Sequence, residues 1–193
     1  MNTPSHVLIN LALKSAGKKR TQSIPWLAVF LGSFMPDIPL GILSIAATFY
    51  FRLILGNQSP DLMEAVLHPL YFTNPFWISA HHLLHAPLAL GLYLAVLWRW
   101  RARPGKVQYW LFWFVVSCAL HTSVDILTHF NDGPLLFWPL DWSYRFPSPI
   151  SYWDPVHFGR QFMVFELILD MGLLGYLLIP KIKTFLFRNK TQS

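Results

Sequence analysis

The basic residues of this chain fall in three short clusters, and long apolar stretches separate them. Lys14, Lys18, Lys19 and Arg20 form the first, Arg99, Arg101, Arg103 and Lys106 the second, and Lys181, Lys183, Arg188 and Lys190 the third. Together they hold twelve of the fifteen Lys and Arg residues and none of the nine Asp and Glu. A soluble surface mixes both signs, whereas cytoplasmic loops of a membrane protein collect Lys and Arg. Composition agrees, since 54% of the residues are hydrophobic and only 12% charged, about half the charged share of a soluble domain. Disorder is thereby excluded. Solvated helix ends on a soluble bundle are the competing explanation for the clusters. The basic residues cap apolar helices and do not line a groove, so no nucleic-acid partner is expected.

The segments between the clusters are helical in length and pattern, and no linker divides them, so residues 1–193 read as a single membrane-embedded domain. Thr3 and Pro4 open a short N-terminal helix that runs to Gly17. Its positive charges follow the apolar stretch, the wrong order for a secretory signal, so these residues are read as mature protein. From Pro25 to Leu55 the chain is apolar but interrupted by Pro36, Asp37 and Pro39, which predicts a kink or turn near Asp37. Residues 57–80 read as interfacial or irregular. Leu83–Trp100 and Val107–Phe130 are predicted as an antiparallel helical pair, followed by a loop rich in Pro, Trp and Tyr over 131–158. Gly159–Ile179 is predicted as a last helix stopped by Pro180. The expected fold is all-α: an integral membrane helical bundle of four to five apolar helices plus the short N-terminal one. Up-and-down threading puts all three basic clusters and the C-terminus on the cytoplasmic side.

Ionisable residues inside apolar helices are costly and point to function. His121, Asp125 and His129 are spaced four apart, so a helix displays them on one face. A carboxylate between two imidazoles can ligate one metal or bridge two; a hydrogen-bonded polar stripe between packed helices is the alternative. His81, His82 and His85 open the preceding helix, with His85 the preferred ligand, then His81 or His82. Asp37, in FMPDIPL, is a ligand, a base or a helix cap. The one cysteine, Cys118, offers no cysteine metal motif, so any metal site must use His and carboxylate.

Depth ties these segments together. At about 1.5 Å per helical residue, His6 lies about 18 Å from Lys18, Asp37 about 18 Å from Pro25, His85 about 21 Å from Arg99 and His121 about 22 Å from Lys106. Four segments thus bring an ionisable group to one level, in the non-cytoplasmic half of the membrane. Asp154 and His157 supply another carboxylate and imidazole near the same mouth. Arg145 and Arg160 either bind a phosphate or pair with Asp141 or Asp154. Trp138, Trp142, Tyr144, Tyr152 and Trp153 read as an interfacial belt. Glu166 and Asp170 contact either the surroundings of the site or another helix.

The N-terminal histidine, the PD dipeptide after a hydrophobic run, the histidine cluster, and HTSVDILTHFNDGPLLFWPLDWSYRFPSPISYWDPVHFG together resemble the YdjM-like family of predicted membrane-bound metal-dependent hydrolases. That family is considered related to the zinc-dependent phospholipase C and P1 nuclease group, helical proteins that cleave phosphoesters with two or three zinc ions. The resemblance implies His6, Asp37, His85, His121, Asp125 and His129 as ligands or base, with Asp154 and His157 as further ligands. The family's HR-x-x-x-H pattern is replaced here by Ala80-His81-His82-Leu83-Leu84-His85, so the final histidine alone maps onto it.

The function expected is therefore a membrane-bound metal-dependent hydrolase of the bacterial inner membrane. It would hold one to three divalent ions, zinc first, and cleave a phosphoester, small or lipid-linked, with Asp37 as ligand or general base. The alternative is a non-catalytic metal-binding membrane protein, a transporter or sensor. A transporter needs a polar path to both faces, and the cytoplasmic half of each helix lacks ionisable residues, which favours a one-sided pocket.

Overall fold

A computed structural model describes residues 1–17 and 23–190. Lys18, Lys19 and Arg20, three of the four residues of the first basic cluster, lie outside the described residues. The described chain is helical, with one isolated antiparallel bridge between Leu135 and Arg145. Helix α1 spans Thr3–Ala16, α2 Trp26–Gly32, α3 Ile38–Phe49, α4 His68–Thr73, α5 Pro75–His82, α6 Pro87–Leu97, α7 Val107–Thr128 and α8 Gly159–Lys190.

Among the described residues two helices are long and apolar enough to cross a membrane, Val107–Thr128 and Gly159–Pro180. Pro75–His82 and Pro87–Trp100, bent by 45° at their junction, make a third if they form one broken span. The expected four to five long apolar helices are thus two or three, and proline accounts for the difference. Pro36 and Pro39 divide the 25–55 stretch into α2, a turn over 33–37 and α3, leaving an apolar helix over Ile38–Ile54 that is shorter than a span. Pro87 delays the start of α6 by four residues from the expected Leu83, and the chain bends through 83–86. The mixed segment 57–80, expected to be interfacial or irregular, contributes one turn of π-helix over Met63–Leu67, then α4 and α5.

Both ends of the chain also depart from expectation. The cap of α1 is Asn2, not Thr3, whose hydroxyl donates to Asp37 Oδ2. Helix α8 runs through Pro180 instead of stopping there. Proline removes one backbone donor, a loss that a helix in membrane surroundings accommodates.

Helix α7 is the hub, packed against α2, α6 and α1, while α1 also lies along α8. Leu90 of α6 meets Val115 and Cys118 of α7 in the apolar core. Gly32 lets α2 and α7 touch at backbone distance: a Cβ there would come 2.4 Å from Phe114 O and 2.7 Å from Ser117 Cβ. Small residues at such crossings are what membrane helices use for close packing. Beside it, Asn10 Nδ2 of α1 donates to Ser33 Oγ and Ser117 Oγ, at 3.0 and 2.7 Å, stitching three helices together.

Burial is inverted relative to a soluble protein. Met163, Val164, Phe165, Leu167, Ile168 and Met171 of α8 and Ile42, Ile45 and Phe49 of α3 are exposed, whereas His6, His82, His121 and Asp125 are buried. An apolar exterior around polar groups is stable in lipid and unfavourable in water.

Candidate metal centre

Asp125, near the C-terminal end of α7, is the hub of the site. Its Oδ1 lies 3.1 Å from the Met1 amino nitrogen, 3.0 Å from His6 Nε2 and 3.6 Å from His129 Nε2. Its Oδ2 lies 2.9 Å from His85 Nε2 and 3.0 Å from His121 Nε2. The i, i+4 spacing along α7 sets both flanking histidines on the Asp125 face. His85 arrives from the bend between α5 and α6, and His6 from α1, where its ring stacks on His121 at 3.7 Å. Asp37, in the turn between α2 and α3, reaches the same point: its Oδ1 is 3.2 Å from His121 Nε2.

The protonation of His121 reveals what this arrangement suits. Its Nδ1 is 2.7 Å from the Ser33 carbonyl, which can only accept, so Nδ1 carries the proton. In the neutral ring Nε2 then presents a lone pair toward two carboxylate oxygens. It is buried and aligned for a hydrogen bond with neither of them, and His6 Nε2 is likewise close to Asp125 but unaligned. Electron-rich atoms aimed at one another across 3 Å are repulsive unless a proton on the imidazole or a metal cation lies between them, and a metal suits the unaligned geometry. One ligand atom each from Asp37, His85, His121 and Asp125 lies within 4.8 Å of all the others, and these four residues therefore form a possible metal-binding site.

Second contacts orient these groups. His85 Nδ1 is 3.0 Å from His81 Nε2, and His129 Nδ1 is 3.1 Å from Asp132 Oδ1, the imidazole-to-partner arrangement that fixes which nitrogen faces a metal. Burial alone would raise the Asp132 carboxyl, but His129 and the Trp153 indole outweigh it and hold the group below the usual carboxylate range. Glu166 accepts from Asn2 N and Nδ2, and Asp170 accepts from Ser5 Oγ, so the acids of α8 clamp the start of α1.

Six of the expected site residues, His6, Asp37, His85, His121, Asp125 and His129, are brought together. Asp154 and His157 are not: His157 Nδ1 lies 2.7 Å from Asp154 Oδ2, and its ring stacks on Phe130 at 3.6 Å. His82 turns away, its Nδ1 donating to the Ile78 carbonyl. Asp132, Thr3, Thr128 and the Ser33 carbonyl escaped the reading of the sequence. Asp132 left a trace, three residues after His129; the Ser33 carbonyl left none, because a backbone oxygen carries no residue signature.

A family model described as YdjM inner membrane protein matches residues 1–187. The chain belongs to that family. No curated protein and no solved structure matches it. Membership in the YdjM inner membrane protein family accords with the apolar exterior and the helices that could span a membrane, and implies a lipid bilayer environment for the protein.

Proposed function

We propose that this YdjM family member is a membrane-bound metal-dependent hydrolase that cleaves a phosphoester, of the same broad kind as zinc-dependent phospholipase C and P1 nuclease. The observation that carries it is the convergence of two carboxylates and unaligned, buried imidazole nitrogens on one point. Asp37, His85, His121 and Asp125 would hold one ion, and His6 and His129, with the other oxygen of Asp125, suit a second. Bound there, zinc or a similar cation supplies a Lewis acid for the phosphoryl group and for water. Asp37 has 31% of its side chain exposed against 3% for Asp125, so it is the carboxylate reachable from outside and the one suited to take a proton. Thr3 Oγ1 donates to its other oxygen and fixes its orientation.

A lipid-linked substrate is favoured by the loop over 131–158, which follows the His129 end of α7 and exposes Phe137, Leu140, Trp142, Trp153 and Val156. The site faces the non-cytoplasmic side in this proposal, because Lys106 and His121 are separated by about 22 Å of helix. The test is metal analysis of the purified protein after zinc or manganese loading, followed by hydrolysis of p-nitrophenyl phosphate and bis(p-nitrophenyl) phosphate. Stoichiometric metal with turnover that Asp37→Asn abolishes is the expected result. A protein that retains no metal overturns the proposal, and metal flux across proteoliposomes without turnover replaces it with a transporter.

A further inference from the structure

Arg145 is a cation without a carboxylate. Among the described residues no ion pair involves it: Asp154 is taken by His157, and Asp141 accepts from Ser143 N, Ser143 Oγ and Tyr144 N. Its guanidinium lies over the rings of Tyr71 and Phe72, at 5.0 and 5.1 Å. Nη1 donates to Tyr71 Oη at 3.2 Å and to the Gly133 carbonyl, which leaves Nε and Nη2 with no partner among the described residues. Asp132, the nearest acid in sequence to that carbonyl, is directed at His129 and Trp153. The isolated bridge to Leu135 and the Tyr71 bond to the Asp132 carbonyl fix the backbone on both sides of this arginine.

The same contacts lead to the metal centre. The Tyr71 ring is 5.6 Å from that of His81, His81 is bonded to His85, and His85 reaches Asp125. His81 is buried, and its Nδ1 has no partner. Burial pushes the Tyr71 phenol up to about 12, so Tyr71 stays neutral; its hydroxyl donates to the Asp132 carbonyl while its oxygen accepts from Arg145 and orients the guanidinium. A fixed planar fork with free donors, held in place by the Tyr71 oxygen, and an unpaired imidazole nitrogen form a constellation suited to a tetrahedral oxyanion.

We propose that Arg145, with Tyr71 and His81, forms an anion subsite that takes a phosphoryl group next to the Asp and His centre. It names where the substrate's negative charge is held, and it rests on the reading of the centre as a phosphoesterase site. Arg145 supplies the charge, Tyr71 supports it from below, and His81 closes the side toward His85. A phosphate released into water and a lipid headgroup present the same oxyanion, so both are probes.

The experiment is titration of the full-length protein in detergent, metal-free and zinc-loaded, with inorganic phosphate and with dihexanoyl phosphatidic acid, read by calorimetry. Wild type is compared with Arg145→Gln, Arg145→Lys and Tyr71→Phe. Arg145→Gln is expected to weaken binding about tenfold or more, the scale of a lost charge-assisted pair, with Arg145→Lys intermediate. Zinc stoichiometry and the elution profile are read on each variant to show that the fold is retained. Arg145-dependent binding of inorganic phosphate supports a headgroup-independent subsite; dependence seen with phosphatidic acid alone supports a lipid source. Equal binding by wild type and Arg145→Gln, or no binding of either probe to wild type, overturns the subsite. Because the titration is also made without metal, loss of zinc binding would sink the proposed function and leave this result standing on its own.

Discussion

Asp125 touches the Met1 amine and four imidazoles, so its replacement has consequences that no neighbouring change shares. Asp125→Asn keeps the shape and removes the charge, and metal retention measured by elemental analysis is expected to disappear. Asp132→Asn should act more gently, lowering affinity at the His129 position by roughly 10–100-fold, the usual cost of removing a partner that orients a ligand. Equal metal affinity in wild type and Asp132→Asn would show that His129 does not ligate. At this scale the sequence was informative wherever an ionisable side chain interrupted an apolar run: His6, Asp37, His85, His121, Asp125 and His129 were all visible that way. Asp154 and His157, expected from their place in the loop near the same mouth, instead satisfy each other across a short turn. Spacing along a loop, unlike spacing along a helix, does not determine direction.

Among the elements, the crossing of α2 and α7 is the most sensitive to substitution. Gly32→Val inserts atoms where Phe114 O already stands 2.4 Å from a bare Cβ position, and it should cost about 1–3 kcal/mol, the range for overpacking a core. Thermal unfolding in detergent would register it as a lowered midpoint, and an unchanged midpoint would mean that the helices are not in contact there. Asn10→Leu should cost about 0.5–1.5 kcal/mol, since it removes the donor that Ser33 Oγ and Ser117 Oγ accept, while both hydroxyls go on donating to the Val29 carbonyl. Because Ser33 O also fixes His121, that variant should weaken metal binding at a distance from the ion. Helices α7 and α1 were legible in advance, from uninterrupted hydropathy and from a proline start. The break near Asp37 was legible too, from Pro36 and Pro39, but the bend before Pro87 and the run through Pro180 were not, because proline announces an interruption without saying whether the chain kinks, turns back or carries on. The run over 57–80 hid α4 and α5 because its aromatics and prolines follow neither helical nor strand periodicity.

For the whole molecule, the proposed orientation is open to labelling. Cys118 is fully buried, so cysteines introduced at Arg103 and Leu140 can be probed against a low background in intact cells. A membrane-impermeant maleimide should label Leu140→Cys and spare Arg103→Cys; the reverse pattern would put the site on the cytoplasmic side. The overall class followed from charge position alone, whereas the number of spans required the coordinates. A last consequence follows from Asp125 lying late in the chain. Helix α1, the Asp37 turn and the His85 bend are all synthesised before α7, so their polar groups are made before His121 and Asp125, the α7 groups that they meet. Lipid gives helices no hydrophobic reason to associate, and the arrival of α7 is the event that draws them into one bundle. A nascent chain halted at the Arg99–Lys106 loop should therefore be a substrate for membrane quality-control proteolysis, and one extended past Thr128 should survive it.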